Sequence, residues 1–217
     1  MESAPPRPDS PRNAAIRRQI DGNETPTMPL SGVTLDAVNR RIENPIEVTN
    51  DSQEWGKIKS FVQPAFDKFE ETKPTGSPGS VLHYPSNAER EKAKLVVSRL
   101  FRSKEVIGGQ RIYYVEAKKE YKRPTSKTES ACRAISFFKG WILQDNRGGL
   151  KLVDGRHILS DCDLKAAASS RLLGILPLRD GIFLITEDHG YEDESYAILE
   201  LKGSRIKQVL NVHGGSC

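Results

Sequence analysis

The stretch that decides the fold lies in the second half of the chain and reads AISFFKGWILQ, DNRGG and LKLVDGRHILS over residues 134–144, 145–149 and 150–160. The first and third segments are rich in β-branched and aromatic residues and show little helical periodicity, which is typical of strands. The Asn and Gly residues between them tolerate positive φ and favour a turn. The three segments together predict a β-hairpin.

Further strands are predicted on both sides of this hairpin. Residues 110–121 alternate, with Ile112 and Tyr114 on one face and Tyr113, Val115 and Ala117 on the other. Short apolar runs separated by turn residues follow the hairpin, and they predict strands at Leu172–Leu178, Gly181–Glu187, Tyr196–Lys202 and Ile206–Val212. Consecutive strands with short connections indicate an antiparallel β-meander.

The spacing of the last four predicted strands resembles one four-stranded blade of a β-propeller. No Trp-Asp pair ends a strand in this stretch, and residues 110–160 supply at most a second, irregular blade. Two blades cannot close a ring that typically needs four to eight. We therefore expect an α+β, mainly β fold, with two packed sheets or a partly open barrel, preceded by two or three short amphipathic helices.

The chain divides by composition into five segments. Residues 1–33 are a Pro/Arg-rich tail that we expect to be disordered, and 73–85 form a linker. The remaining segments carry helical or strand periodicity. They are a helical segment over 34–72, a helix over 86–104 that packs on the β domain, and the antiparallel β domain over 105–217.

Apolar spacing at i, i+3 and i+7 predicts two helices within 34–72, one through Leu35, Val38 and Ile42 and one through Trp55, Ile58 and Val62. Asp51 or Ser52 is expected to cap the second of these helices. Pro64 is expected to end or kink it, because proline lacks the amide that the helix needs. Ser86 and Glu89 form a capping box that opens the helix over 86–104.

Net charge and hydropathy exclude few functions. The chain carries 33 cationic and 29 anionic side chains, a net charge of +4, which indicates a mixed surface that allows a nucleic-acid partner without requiring one. No apolar run is long enough to span a bilayer. Residues 1–6 show no signal-peptide core. The compartment stays open: extracellular or periplasmic if a signal peptide has been removed, cytoplasmic otherwise.

Cys132 and Cys162 are a candidate disulfide. If the hairpin pairs without interruption around Arg147, the two cysteines face each other, and at a non-hydrogen-bonded pair their Cα atoms lie about 4.5 Å apart, which a disulfide can bridge. A rival register is also open, in which Asp154-Gly155 forms its own turn and separates the cysteines. The third cysteine, Cys217, ends the sequence.

Two polar clusters are candidate functional sites. His157, Asp161 and Asp163 share one face of a strand, where an imidazole and two carboxylates could bind a metal or act as acid and base. The second cluster lies between two predicted strands, where loops often carry binding residues. It contains Glu187, Asp188, His189, Tyr191, Glu192, Asp193 and Glu194.

No G-x-S-x-G, H-E-x-x-H, Walker or G-x-G-x-x-G motif is present. The sequence therefore favours a non-catalytic binding or structural domain, with the 187–194 loop as its binding site, a protein or small polar ligand as partner, and no cofactor. One alternative is a metal-dependent or acid/base hydrolase that uses His157, Asp161 and Asp163. A second alternative is nucleic-acid binding through the basic stretch 118–127, where cations flank Tyr121.

Overall fold

The computed structural model describes residues 42–72, 84–122, 132–160, 169–178, 181–190 and 193–216. Within these ranges, nine strands form two antiparallel sheets, and the strands of each sheet lie side by side in chain order. The first sheet contains β1 (Ile46–Glu47), β2 (Val96–Arg102), β3 (Gln110–Lys122), β4 (Cys132–Asp145) and β5 (Leu150–Ser160). The second contains β6 (Ser169–Pro177), β7 (Ile182–His189), β8 (Asp193–Lys202) and β9 (Arg205–Ser216).

This arrangement confirms a mainly β fold with two antiparallel sheets, and the described strands do not close into a barrel. Seven of the strands, β3 to β9, correspond to the seven predicted from hydrophobic patterning, with ends that differ by a few residues. The alternation predicted along β3 is also confirmed, because its two sets of residues lie in two separate apolar cores.

The expected series of two or three short amphipathic helices is wrong for the described residues. One amphipathic helix, α1 (Gln53–Glu71), has 19 residues and buries Ile58, Val62 and Phe66 along one face. Ser52 caps it, accepting a hydrogen bond from the Trp55 amide. Pro64 lies inside α1 and does not end it. Packing of the buried face on the first sheet outweighs the hydrogen bond that proline removes.

The helix expected over 86–104 is also wrong beyond its first turns. The capping box of Ser86 and Glu89 is present, but it opens only α2 (Asn87–Lys92), which buries no side chain. Val96–Arg102 forms β2 instead, and β2 pairs with β3. Leu35 and Val38 lie outside the described residues, whereas Ile42 is described and is not helical.

The two sheets and α1 stack in three layers. Tyr113, Val115 and Ala117 of β3 pack with the buried face of α1. Ile112 and Tyr114, on the opposite face of the same strand, pack with apolar residues of the second sheet. The second-sheet residues in this core are Leu172, Ile175, Leu184 and Leu201. The first sheet is thus buried on both faces, which explains why its strands read as apolar on both sides.

A β-bulge interrupts the hairpin of β4 and β5. Ile142 pairs with Leu152, but the preceding residue of β4, Trp141, pairs with Asp154, so Val153 is left without a partner residue. A bulge shifts the register by one residue. Both expected registers are therefore wrong: pairing does not run uninterrupted around Arg147, and Asp154-Gly155 forms no turn, because β5 continues to Ser160.

Candidate binding site between the sheets

The disulfide proposed for Cys132 and Cys162 loses its geometric argument. The bulge at Val153 shifts the register by one residue. Ile135 pairs with Ser160, whereas the uninterrupted register that would place Cys132 opposite Cys162 pairs Ile135 with Leu159. On its other side, the Cys132 backbone pairs with Lys122. Cys162 and Cys217 lie outside the described residues, and no disulfide is found in the part of the chain that the structure describes.

His157 lies beneath α1, on the face of β5 that packs against the helix. Its ring meets Phe66 edge-on at 5.7 Å and stacks on Phe69 at 6.4 Å between ring centroids. Its Nε2 atom lies 2.5 Å from the Ser136 hydroxyl. Burial lowers the pKa of His157, and this effect outweighs the opposing influence of Glu70. Asp161 and Asp163 lie outside the described residues, so the three-residue cluster stays a prediction.

The acidic loop is divided between the two faces of the second sheet. Glu187 and His189 lie on its outer face with Glu194, where the imidazole contacts both carboxylates, at 3.2 and 3.4 Å. A hydrogen bond from the Tyr196 hydroxyl, 3.0 Å long, lowers the pKa of Glu187. Asp188 points inward, because successive strand residues alternate. Asp193 is described and exposed, whereas Tyr191 and Glu192 lie outside the described residues.

No group of three or more metal-ligating side chains occurs among the described residues. Two cations of the 118–127 stretch, Lys118 and Lys119, are paired with carboxylates within the chain. Lys118 lies 2.7 Å from Glu120, and the buried Lys119 lies 2.8 Å from Asp67 and 2.9 Å from Glu70. The hypothesis of a free basic strip along this strand therefore gains no support from its described part.

A buried polar cluster that sequence analysis missed joins the two sheets. Glu116 of β3 is 2% exposed and accepts hydrogen bonds from the Tyr114 hydroxyl, 2.8 Å, and from the Ser170 amide of β6, 2.7 Å. Arg99 of β2 lies 3.8 Å from the same carboxylate. Burial raises the pKa of Glu116, although these hydrogen bonds oppose the shift. The carboxylate therefore fixes the start of β6 against the first sheet.

The cluster continues through the side chain of Ser170. Its hydroxyl accepts a hydrogen bond from Lys139 Nζ at 2.8 Å and donates one to Asp188. Lys139 Nζ also lies 3.4 Å from Asp188. Three strands from two sheets, β4, β6 and β7, thus bring together an ammonium, a hydroxyl and a carboxylate that are far apart in the sequence.

A cavity of about 170 Å³ opens beside these three side chains. Its walls come from both sheets and combine charged, hydroxyl, amide and apolar groups. The lining residues are Tyr114, Lys139, Gly140, Trp141, Asp154, Arg156, Ser170, Thr186, Asp188, Leu199, Ile206 and Gln208. We call this space the intersheet cavity.

The arrangement favours binding over nucleophilic catalysis. A lysine beside a serine can act as a general base only when the amine is neutral. Here Lys139 Nζ donates a hydrogen bond to the Ser170 oxygen, 2.8 Å away, and does not accept the hydroxyl proton. The serine is 4% exposed and already donates its proton to the Asp188 carboxylate. The cavity presents Lys139 and Arg156 as cations and Asp154 and Asp188 as anions, so it can pair with both signs of charge.

A larger depression of about 710 Å³ lies between α1 and α2. It is lined by charged side chains of both helices, including Lys59, Asp67, Arg90 and Glu91. The segment 73–83, which joins the two helices, lies outside the described residues, so the walls of this depression are described only in part. The intersheet cavity has described walls on two sheets and is the stronger candidate.

A signal for the intersheet cluster is present in the sequence. Lys139 stands in the apolar part of β4, and its neighbours at i±2, Phe137 and Trp141, are both buried. A charged residue is rarely buried in a strand unless it is paired. The isolation of Lys139 could have marked this position as a functional or structural polar site, although it could not have paired the lysine with Ser170 and Asp188. Glu116 precedes the charged residues Lys118, Lys119 and Glu120 and carries no such signal.

The sequence matches no family model, and no curated protein or solved structure is significantly similar to it. Within the described residues, neither helix has the length and apolar character needed to cross a membrane. We therefore infer the function from the geometry of the described residues.

Proposed function

We propose that this chain is a non-catalytic binding domain that holds a small polar ligand, bearing both an anionic and a cationic group, in the intersheet cavity. The observation that carries this proposal is the placement of two cations and two carboxylates around one cavity between two sheets. Ligand pockets are typically concave sites with a few convergent polar groups on a rigid scaffold.

The size of the cavity limits the ligand. About 170 Å³ corresponds to roughly six water molecules at about 30 Å³ each. This space accommodates a molecule the size of a small amino acid. Lys139 and Arg156 would pair with the anionic group, and Asp154 and Asp188 with the cationic group. The aromatic side chains Tyr114 and Trp141 supply the apolar part of the wall.

The hydrolase and nucleic-acid alternatives have less support. His157 packs between two aromatic rings of α1 beside a fully buried Ser136, and the carboxylates proposed to join it are not described. Lys118 and Lys119 are paired with carboxylates of the same chain. Neither arrangement offers the converging, ligand-accessible groups that the intersheet cavity has.

The test is a thermal-shift screen of the full chain with a panel of small zwitterionic amino acids, dicarboxylates and diamines. A ligand at 100 times its dissociation constant stabilises a folded protein by about 2.7 kcal/mol. For a domain of this size, we expect the melting temperature to rise by roughly 5–10 °C. The zwitterions are expected to outperform the dicarboxylates and the diamines.

Three variants locate the effect. Arg156→Gln removes an exposed cation from the cavity wall and is expected to abolish the shift. Lys151→Gln, the control, removes an exposed cation from the same strand away from the cavity. The double variant Glu187→Gln with Glu194→Gln neutralises the outer-face loop and should leave the shift unchanged. If no zwitterion stabilises the protein, or if the loop variant alone abolishes the shift, the intersheet cavity is not the binding site.

A further inference from the structure

β9 is an edge strand whose side chains are exposed on both faces of the sheet. It has 12 residues and pairs with β8, and the described residues provide no strand on its other edge. Every side chain from Lys207 to His213 is exposed. Three of these are large and apolar: Val209 at 45%, Leu210 at 48% and Val212 at 50% exposure.

A long edge strand with exposed apolar residues presents unpaired amide and carbonyl groups that can pair with another chain. Natural proteins protect such edges with charges, prolines and bulges. β9 has two register shifts. One is at Val209, because Ile198 pairs with Leu210 while Leu199 pairs with Gln208, and the other lies near its end, because Asp193 pairs with Ser216 while Ser195 pairs with His213. Between Gln208 and Val212 it has no charged residue and no proline. The edge is therefore only weakly protected.

The outer face of the second sheet adds apolar surface next to this edge. Leu210 lies opposite Ile198, and Val212 lies opposite Tyr196, which is 40% exposed. Residues that lie opposite each other on neighbouring strands share one face. The exposed apolar surface thus extends from the edge of β9 across β8. A second molecule that pairs with this edge would join its own apolar surface to it.

Charges at the two ends of the β8–β9 hairpin have opposite sign. The turn end carries Lys202, Arg205 and Lys207, with Glu200 opposite Lys207, and is net positive, whereas the other end carries Asp193 and Glu194. Antiparallel pairing of two identical strands brings the basic end of each strand next to the acidic end of the other. Parallel pairing would bring like charges together, which is destabilising.

Gly214 leaves the acidic end open toward the edge. It lies beside Glu194, and a Cβ at this position would meet the Glu194 backbone oxygen at 3.0 Å and its Cβ at 3.3 Å. Gly214 places no side chain between the free edge and Glu194, which is 52% exposed. An arginine approaching along that edge can therefore reach the carboxylate.

We propose that β9 is the interface of a homodimer in which two copies pair antiparallel across a two-fold axis near Leu210. The two second sheets become one continuous eight-stranded sheet, and Arg205 of each copy pairs with Glu194 of the other. Closed two-fold symmetry satisfies both free edges at once, so assembly stops at the dimer. A single strand edge buries less than the usual 1,200–2,000 Å², so we expect a dissociation constant in the micromolar range.

Sedimentation velocity of the full chain under reducing conditions, from about 1 to 200 µM, tests this interface. The wild-type chain of 24.2 kDa is expected to convert from monomer to dimer across this range. Leu210→Lys should weaken the dimer at least tenfold. Val96→Lys, the control, changes an equally exposed valine of β2 in the other sheet and should have no effect. Circular dichroism checks that each variant is folded.

A charge exchange tests the antiparallel geometry with exposed residues only. Arg205→Glu and Glu194→Lys should each weaken the dimer several-fold, and the two substitutions together should restore it. A wild-type chain that stays monomeric at 200 µM would overturn the proposal, as would a dimer insensitive to Leu210→Lys. Failure of the double exchange to restore association would overturn the antiparallel pairing of Arg205 with Glu194.

Discussion

The buried ion pair of Lys119 and Glu70 offers a test of how α1 is held on the first sheet. Both residues are 3% exposed, and the ammonium lies 2.9 Å from the carboxylate. The second Glu70 oxygen accepts a hydrogen bond from the Tyr121 hydroxyl. Burial lowers the pKa of Lys119, but hydrogen bonds to Asp67 and Glu70 outweigh it and raise the pKa above its usual value. The lysine is therefore charged in the folded protein.

Lys119→Met is expected to be strongly destabilising. Removing one partner leaves the Glu70 carboxylate buried without its cation, which typically costs about 3–5 kcal/mol. For a chain of this size, each kcal/mol lowers the melting temperature by roughly 2–4 °C, so the expected decrease is roughly 6–20 °C. Lys118→Met is the matched control. Lys118 lies 2.7 Å from Glu120, but that pair is largely exposed, so the expected loss is below about 1 kcal/mol.

Urea denaturation of four proteins, the wild type, Lys119→Met, Glu70→Gln and the double variant, measures the coupling between the two side chains. The double variant buries no charge and retains an acceptor for Tyr121, so it should lose much less stability than the sum of the single variants. A coupling energy of roughly 1–3 kcal/mol is expected for residues in direct contact. If Lys119→Met costs no more than Lys118→Met, or if the single effects add, the pair is not a buried determinant of stability.

Three further predictions concern individual residues. Gly56→Ala, in α1 with no atom within 4 Å of the new Cβ, should stabilise the protein by about 0.5–1 kcal/mol. Gly140→Ala should destabilise it, because the new Cβ would lie 2.8 Å from the Phe138 ring and 2.9 Å from the Asp154 carbonyl oxygen. Chemical denaturation compares the two variants, and equal effects would contradict the packing around Phe138. Because the pKa of His157 is lowered in the folded protein, the unfolded chain binds more protons near the ordinary histidine pKa of about 6.5. The contribution of neutral His157 to the free energy of unfolding should therefore be fully present above that pH and decrease below it. Thermal melts from pH 4.5 to 8 should show a shallower decrease for His157→Gln, and an identical profile would refute the assignment. Ser52→Ala should lower the free energy of unfolding by about 1 kcal/mol, because it removes the cap of α1. Ser60→Ala, in the exposed middle of the helix, is the control and should cause no loss of stability. The reverse order in urea denaturation would argue against Ser52 as the cap.

Hydrophobic patterning predicted most strands because it depends on residues close in sequence. β3 is an example: its two apolar sets lie on opposite faces, as the alternation of Ile112 to Ala117 indicates. β2 was missed because Ala93, Val96, Val97 and Leu100 have helical spacing. Its β-branched residues and its pairing with β3 outweigh that spacing. Tertiary pairing of this kind is not visible in a local window.

The intersheet cluster could not be assembled from sequence for the same reason. Glu116, Lys139, Ser170 and Asp188 lie on four strands, and only the register and the packing of the two sheets bring them together. The sequence groups Asp188 with Glu187 and His189 in the acidic loop, but strand alternation places its side chain on the opposite face of the sheet. The bulge at Val153 likewise has no recognisable pattern in the local sequence, although it determines the face of the sheet on which His157 lies.

The bulge at Val153 also determines where the chain tolerates a change of length. Deleting Val153 removes only the residue that has no partner, so every later residue of β5 keeps its neighbour on β4 and its side of the sheet. Deleting the nearby Arg156 would instead exchange inward and outward side chains for the rest of the strand and move His157 away from Phe69. Homologous chains that are one residue shorter in this hairpin should therefore have lost that residue at the bulge.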